Sequence, residues 1–427
     1  METKRRTMRT ETIGYGELIR TNAHFRWLWI GNMVSLLGDW FNTIAIFDLV
    51  GGRSGSPMAL AWVLVVKQLP FALASPVAGL IADRFDRRKL MIGLDLARAV
   101  LVLGFLWART QADLPLVYVL SALQVVLGAV FIPARSALLP SVVQPHELLT
   151  ANTIMNASWS SLLAIGAALG GFASAWLGAT FVFVTDSLSY VLSAYCTWKV
   201  VVTYDRIKPL EKTGFQTAYQ GVLEGWRLMR RTPAIGRIAL AKPMWAFGGG
   251  ALVFMMTILA GSHLALSSSI GIGTLYAVRG LGTGLGPVLA RRFVFNQRHW
   301  PSVLGISVCL SALGYMGVAV LPWHLGLVVF LVFWAHTPSG ANWVLSSVLL
   351  QQRSPDAFMG RIFSTEWLFV TFVESLFIIM AGFLLEHQLL NLSQGFFLFA
   401  CLQFVAGLLW IIRIVPAEKR DSGHQLV

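Results

Sequence analysis

Apolar segments long enough to cross a lipid bilayer recur along this whole sequence. A membrane-spanning helix needs about 20 mostly apolar residues, and twelve segments meet that requirement. They cover residues 27–50, 58–82, 90–109, 113–133, 151–175, 179–203, 237–262, 268–290, 301–321, 324–346, 362–385 and 393–415. Only 12% of the residues are charged and 56% are hydrophobic, whereas about 25% of an ordinary soluble chain is charged. The sequence therefore predicts an all-α integral membrane protein.

The distribution of Lys and Arg predicts how these spans are oriented. If the spans alternate in direction, 27 of the 33 cationic side chains fall on the side that holds both termini, two fall on the other side and four lie within spans. Cationic residues collect in cytoplasmic loops, so both termini are predicted to be cytoplasmic, in a multi-pass protein of the cytoplasmic (inner) membrane. The net charge of +13 comes largely from the same loops, and no nucleic-acid partner is expected.

The longest polar stretch lies in the middle of the chain and divides it into two halves. The predicted organisation is a cytoplasmic tail over residues 1–26, a six-helix bundle over 27–203, a cytoplasmic linker over 204–236, a second six-helix bundle over 237–415 and a tail over 416–427. Within the linker, apolar residues at helical spacing over 215–231 predict an amphipathic helix on the inner membrane surface. This helix either tethers the bundles or senses lipid. Segments 79–84 and 139–148 recur at offsets of 207 and 210 residues, as a duplication would produce.

One loop carries a family resemblance. Residues 79–89 read Gly-Leu-Ile-Ala-Asp-Arg-Phe-Asp-Arg-Arg-Lys, which resembles the hallmark loop G-x-x-x-D-R-x-G-R-R of the major facilitator superfamily, with Asp86 where glycine is usual. This variant and the segments 140–152, 224–230 and 352–361 are similar to the branch of enterobactin-type siderophore exporters and macrolide efflux proteins. The resemblance implies twelve transmembrane helices in two pseudo-symmetric six-helix bundles, the major facilitator fold. It also implies a secondary active transporter that exports a small amphipathic compound by alternating access and proton antiport.

In the superfamily this loop forms a cytoplasmic gate. The matching residues here are Gly79, Asp83, Arg84, Arg87 and Arg88. A carboxylate at the position of Asp83 can accept hydrogen bonds from a helix N-terminus and meet its positive dipole end, and the resemblance gives this role to the helix that starts near residues 360–361. The arginines are expected to pair with carboxylates or anionic lipid. The second half has Ala290 at the position of Asp83, so the corresponding loop of that half is not expected to form the same gate contact.

Ionisable residues at membrane depth are costly, and each one suggests a function. A rise of about 1.5 Å per residue places two acids, Asp39 and Glu374, and two bases, Lys67 and Arg279, close to one level. A carboxylate in a low-dielectric cavity can take up and release a proton near neutral pH. The candidates for proton coupling are Asp39, Glu374 and Glu366.

The two midplane bases, Lys67 and Arg279, are candidates for binding an anionic group of a substrate. The tryptophans that lie deep in their spans, and that either line the same cavity or pack against lipid, are Trp40, Trp62 and Trp245. The alternative for the four midplane charges is two structural ion pairs that neutralise one another. Asp95 and Arg98 are three residues apart on one helix face, a spacing that predicts a structural ion pair.

The same residues allow other functions, and they exclude some. A transporter of the same fold that carries a lipid, for example a lysophospholipid, is an alternative. Coupling to Na⁺, or facilitated transport without a coupling ion, is an alternative to proton antiport. A membrane enzyme or sensor is the third class, but the sequence has no Walker-type G-x-x-x-x-G-K-[ST] and no H-E-x-x-H motif. We therefore expect no enzyme activity, no cofactor and no metal site. The expected partners are a small-molecule substrate, protons and membrane lipids, and the chain is expected to be a monomer.

Overall fold

Helices make up the regular secondary structure in the described part of the chain. A computed structural model describes residues 13–202, 215–262, 267–294, 296–355 and 358–424, and no strand lies in these ranges. This confirms the predicted all-α fold class. The outer parts of the predicted tails, residues 1–12 and 425–427, lie outside the described residues, as do linker residues 203–214 and the side chain of Asp83.

The helices before the linker build the first half. They are α1 Tyr15–Thr21, α2 Ala23–Ser54, α3 Pro57–Val66, α4 Leu69–Arg84, α5 Arg87–Leu103, α6 Leu114–Leu138 and α7 Leu148–Lys199. The linker helix and the second half follow. They comprise α8 Phe215–Arg231, α9 Pro233–Ala239, α10 Ala241–Ser262, α11 Ser268–Phe293, α12 Trp300–Val320, α13 Leu325–Arg353, α14 Met359–Glu386, α15 Leu392–Leu409 and α16 Val415–His424.

Helix α7 contains two membrane spans. Its 52 residues would extend about 78 Å at 1.5 Å per residue, whereas a bilayer core is about 30 Å thick. Gly178 breaks the helix at φ 81°, a backbone conformation that favours glycine. Ser158, before this glycine, accepts a hydrogen bond from Trp29 Nε1 at 2.8 Å, and Cys196, after it, packs on Gly31. Because both lie beside the start of α2, the chain reverses at Gly178, at the predicted boundary between spans five and six.

The described helices supply the twelve predicted spans. By length and composition, ten helices of the described chain are able to cross a membrane, and α7 counts twice among them. Helix α11 is the twelfth span. Its sequence is less apolar because it carries Arg279 and six glycines, and it packs between α7 and α13. The predicted twelve-helix architecture is therefore confirmed.

Both described chain ends lie on the side of the bundle where the linker helix connects the halves. Near the N-terminal end, Ile13 O accepts a hydrogen bond from Thr150 Oγ1 at the start of α7 at 2.9 Å. Near the C-terminal end, Glu418 forms ion pairs of 2.6 Å with Arg237 in α9 and with Arg353 at the end of α13. We call this side the linker side.

The two halves meet closely on the side opposite the linker. Asp48 at the end of α2 accepts a hydrogen bond from Ser269 at the start of α11 at 2.6 Å. Glu386 at the end of α14 accepts one from Ser56, just before α3, at 2.7 Å. A Cβ atom added to Gly273 in α11 would lie 2.6 Å from a backbone oxygen of α7. These contacts close the bundle on that side.

The predicted amphipathic helix over 215–231 is present as α8, and it contacts both halves. Tyr219 donates its hydroxyl hydrogen to Leu73 O in α4 at 2.9 Å. Glu224 forms an ion pair of 2.6 Å with Arg361 at the start of α14. A Cβ atom on Gly225 would lie 2.5 Å from Arg361 O, so glycine permits this close crossing. The helix is thus docked on the bundle as well as connecting its halves.

Two glycines of α11 should differ sharply in their tolerance of a methyl group. A Cβ atom at Gly286 would lie 2.0 Å from Thr337 O in α13, whereas the nearest atom to one at Gly284 is Ser160 Cβ at 3.8 Å. Because the helix backbone at Thr337 cannot give way cheaply, Gly286→Ala should destabilise the protein by about 1–3 kcal/mol. Thermal unfolding of purified protein in detergent measures this. Gly284→Ala is the matched control, and equal unfolding midpoints for the two variants would contradict the prediction.

Candidate functional site

A cavity of about 770 Å³ lies between the two halves and is lined by residues from both. Its lining runs from the middle of α2 and α14 to the linker side, where Arg135, Met155 and Pro287 contribute. The volume falls within the range of roughly 300–1,000 Å³ that holds drug-sized ligands. The contacts of Asp48 and Glu386 lie beyond its other end.

The cavity collects charged side chains from both halves. Those of the described chain that line it are Asp39, Lys67, Arg98, Arg135, Arg279 and Glu374. The structure thus brings the four predicted midplane charges to one space. Direct ion pairs between Asp39 and Lys67, or between Glu374 and Arg279, do not form among the described residues, so both acids and both bases remain available to the cavity.

Asp39 is held by a hydrogen-bonded chain within the first half. The Tyr190 hydroxyl donates to the Asp39 carboxylate, and Gln124 Nε2 donates to the Tyr190 oxygen at 2.9 Å. Lys67 Nζ donates to Thr43 Oγ1 at 3.1 Å and lies within electrostatic range of Asp39. The chain fixes the position of the carboxylate at the cavity wall.

Lys67 reaches the cavity because its helix is broken there. Helices α3 and α4 are separated by Lys67 and Gln68, within the segment predicted as one span. Pro70 near the start of α4 has no N–H to donate to Val66 O, and its ring would clash with that carbonyl in a continuous helix. The break leaves Lys67 at the end of α3, facing α2.

The predicted ion pair of Asp95 with Arg98 is present and buried. Asp95 also accepts a hydrogen bond from Ser193 Oγ at 2.7 Å. The Arg98 guanidinium lies over the rings of Phe131 and Tyr190, 4.4 and 4.5 Å from their centroids. Cation–π contact with Tyr190 places this pair next to the chain that holds Asp39.

The second half presents its acid differently. Glu374 lines the cavity on α14 within electrostatic range of Arg279 on α11. Its carboxylate has no hydrogen-bond or ion-pair partner among the described side chains. Arg279 lies 5.5 Å from the ring centroid of Tyr276. Each half thus contributes one midplane acid and one midplane base to the cavity, but of the two acids only Asp39 is held by a hydrogen bond from a described neighbouring side chain.

Glu366 is separated from the other two candidates for proton coupling. Its carboxylate forms a buried ion pair of 2.9 Å with Lys242, and it does not line the central cavity. Eight residues separate it from Glu374 on α14, which places it about 12 Å nearer the linker side and about 80° around the helix. It therefore faces α10.

A row of aromatic rings crosses the cavity wall from the second half to the first. Trp245 in α10 contacts Trp343 in α13 at 6.0 Å between ring centroids, Trp343 contacts Trp367 in α14 at 5.6 Å, and Trp367 contacts Phe71 in α4 at 6.4 Å. Trp245 is anchored by a hydrogen bond from Nε1 to Ser339 Oγ at 2.8 Å. Successive rings meet edge to face, and the row gives the cavity an apolar aromatic wall beside its charges.

The two other predicted cavity tryptophans have different positions. Trp40 lines the cavity on α2. Trp62 does not: its side chain is 43% exposed on the outer surface of α3. Leu64 of the same helix lines the cavity, and two residues correspond to about 200° around a helix. Trp62 therefore points to the opposite face, where the bilayer lies.

Comparison with known proteins gives this architecture a family. The family model of the Major Facilitator Superfamily matches residues 28–372. The chain belongs to this superfamily. An uncharacterized MFS-type transporter of Bacillus subtilis, YfiS, is 24% identical over 420 residues, which cover 94% of this chain and 96% of YfiS. The enterobactin exporter EntS of Citrobacter koseri is 23% identical over 357 residues, 81% of each chain.

A solved structure shares the fold. The peptide transporter POT in complex with alafosfalin superposes with a TM-score of 0.74 at 14% sequence identity, over 96% of this chain and 99% of that one. This likeness supports the major facilitator fold, with its two six-helix bundles. The protein is therefore a multi-pass membrane transporter of the superfamily and not an enzyme.

The hallmark loop of the superfamily is tied to helix ends of its own half. Arg87 donates to Ala137 O at 3.0 Å and Arg88 donates to Thr197 O at 3.3 Å. Both acceptors lie at C-terminal ends, of α6 and α7, where cations are favourable. The sequence predicted carboxylates or anionic lipid as partners, and these carbonyls are an alternative that it did not suggest.

The departure of this loop from the superfamily pattern has a structural role. Asp86, where glycine is usual, is the N-cap of α5 and accepts a hydrogen bond from Lys89 N at 2.8 Å. Arg84 is the last residue of α4, and a Cβ atom on Gly79 would meet nothing within 4 Å. Because the side chain of Asp83 is outside the described residues, its contact with α14 stays a prediction.

Several cavity residues were missed by the sequence reasoning. Tyr190 and Gln124 are polar groups inside apolar spans, and since buried polar groups need partners, their presence was a usable signal. Arg135 was not among the predicted site residues, but it donates to the Asn32 side chain and lines the cavity. Trp367 was not predicted, because its place on the cavity wall depends on the packing of α14 against α4.

Removing Asp95 should destabilise the fold because Arg98 would remain buried without its counter-charge. Asp95→Asn is expected to cost about 3–5 kcal/mol, while the double variant Asp95→Leu with Arg98→Met, which removes both charges, should recover most of that loss. Thermal unfolding midpoints of the purified proteins measure both effects. An Asp95→Asn protein as stable as the wild type would show that Arg98 is neutralised from elsewhere.

Proposed function

We propose that this protein exports a small amphipathic compound, a siderophore or a drug-like molecule, across the cytoplasmic membrane by alternating access coupled to inward proton movement. The observation that carries the proposal is the cavity of about 770 Å³ between the halves, which combines an aromatic wall with the acids Asp39 and Glu374 and the bases Lys67 and Arg279. Such a surface suits a compound with both apolar and charged parts. The relative EntS, named as an exporter of enterobactin, supports the direction.

The orientation of the bundle supports export as well. The linker side holds the excess of Lys and Arg, and such an excess is typical of the cytoplasmic side. On this assignment the cavity reaches the cytoplasm while Asp48 and Glu386 contribute to closure of the outer side. A cavity loaded from the cytoplasm is the state from which an exporter starts its cycle.

Proton coupling is assigned to the two carboxylates that line the cavity. Asp39 and Glu374 are the acids that a substrate in this space can contact. Glu366 is a weaker candidate because Lys242 already occupies one of its oxygens. Lys67 and Arg279 are assigned to an anionic group of the substrate, and they also neutralise the acids when the cavity is empty.

Substrate-driven proton movement tests this proposal. In proteoliposomes with an internal pH-sensitive dye, enterobactin or erythromycin should drive protons in the direction opposite to their own movement. Glu374→Gln should reduce this proton flux by roughly tenfold or more, because the amide cannot carry a proton. Glu17→Gln, which changes an exposed acid of α1, is the matched control.

Two outcomes would count against parts of the assignment. An intact pH-dependent exchange in Glu374→Gln would remove that residue from the proton carriers. If lysophosphatidylcholine is moved and neither enterobactin nor erythromycin is, the lipid transporter replaces the exporter.

The gate loop yields a separate prediction. Asp83→Asn should slow transport by roughly fivefold, the equivalent of losing about 1 kcal/mol of interaction between a carboxylate and a helix N-terminus. The amount of protein in the membrane should stay unchanged, since the substitution removes a charge at the end of α4 and leaves the helix length intact. Initial transport rates are compared at equal membrane levels. A wild-type rate in Asp83→Asn would contradict the gate.

A further inference from the structure

A second pocket, of about 280 Å³, lies on the linker side between α8, the start of the second half and α14. None of its lining residues lines the central cavity. Apolar side chains form most of its wall, among them Trp226 and Met229 of α8, Leu240 and Phe369. Trp226 and Phe369 contact each other with ring centroids 6.2 Å apart. The pocket therefore exists because α8 is docked against α14.

One residue that lines this pocket has a buried carboxylate oxygen without a hydrogen-bond donor among the described residues. Glu366 lines it, and the residue is 2% exposed. Its Oε2 accepts a hydrogen bond from Lys242 at 2.9 Å, while its Oε1 is buried and accepts none from the described residues. A buried acceptor without a donor costs about 1–3 kcal/mol. A ligand that donates a hydrogen bond here would remove that cost.

An unpaired cation lies at the mouth of the same pocket. Two arginines line it, Arg230 of α8 and Arg237 of α9. Arg237 is neutralised by Glu418 and Asp421. Arg230 is exposed and forms no ion pair with the described residues. The pocket thus offers one free guanidinium, the group that recognises phosphate best, and one free acceptor.

The surface around the mouth is suited to a bilayer interface. Tyr219, Leu223 and Trp226 are 49%, 54% and 44% exposed on α8. Basic residues, Arg227 and Arg230 among them, share the helix with these apolar side chains. A helix with this composition lies at the level of lipid headgroups, where phosphate groups are concentrated.

We propose that this pocket binds a phospholipid of the linker-side leaflet, with its phosphate on Arg230 and a headgroup hydrogen-bond donor on Glu366 Oε1. Ethanolamine and glycerol headgroups carry such a donor, and choline does not. The first carbons of the lipid pack against Trp226 and Phe369. Because the bound lipid contacts both α8 and α14, it strengthens the docking of a helix that also contacts α4. This site is independent of the substrate and of the direction of transport.

Lipid binding to the full-length purified protein tests the site. Dioleoyl phosphatidylethanolamine, phosphatidylglycerol and phosphatidylcholine are titrated in detergent, and bound lipid is counted by native mass spectrometry. The first two should bind more tightly than phosphatidylcholine. Arg230→Gln should weaken their binding by about tenfold, the loss of one charge-assisted hydrogen bond. Arg227→Gln is the matched control, because Arg227 is exposed on the same helix and does not line the pocket.

Three results would overturn the proposal. Equal weakening by Arg230→Gln and Arg227→Gln would mean that lipid affinity depends on the net charge of α8 and not on contacts in the pocket. Equal binding of phosphatidylcholine would exclude the donor to Glu366. If soluble glycerophosphoethanolamine binds as tightly as the lipid and competes with it, the ligand is a soluble phosphodiester. None of these results depends on whether a siderophore or a drug is transported.

Discussion

The free energy of placing a charge in a lipid bilayer is the constraint on which this structure depends. A lone charged side chain at the bilayer centre costs roughly 3 kcal/mol or more, so each buried ion needs a partner or water. Asp95 pairs with Arg98 in the first half, and Lys242 with Glu366 in the second. Asp39, Lys67, Arg279 and Glu374 have no such ion pair among the described residues, and all four line one cavity. The helix packing has to leave a polar space between the halves to accommodate them.

Close packing of small residues on one side of the bundle is what leaves that space on the other. A Cβ atom added to α11 at Gly273 or Gly280 would lie 2.6 or 2.7 Å from the backbone of α7, but one at Gly284 would be 3.8 Å from its nearest neighbour. The two helices therefore touch opposite the linker and diverge toward it. The cavity follows from this divergence, and so does its access from the linker side.

The sequence predicts those features that depend on composition and spacing along the chain. The spans, the reversal at Gly178 and helix α8 all carry local signals: apolar length, a glycine between two apolar runs, and apolar residues at helical spacing. The rest depends on which face of a helix meets which neighbour. The position of Glu366 and of Trp62 along their spans follows from the sequence. The neighbour that each side chain faces does not: tertiary packing places Glu366 against α10 and Trp62 toward the bilayer. The sequence of α8 likewise does not indicate that this helix packs against both halves.

The position of α8 constrains how this bundle can change its access. Opening the closed side requires α14 to part from α3, where Glu386 holds Ser56. Closing the linker side requires α4 and α14 to approach at their other ends. Helix α8 already contacts both helices, through Tyr219 on Leu73 of α4 and through Gly225 on Arg361 at the start of α14. A Cβ atom cannot fit between Gly225 and α14, so the two helices are in close contact at this crossing. A change of access that moves α4 relative to α14 therefore also alters at least one of these two contacts of α8.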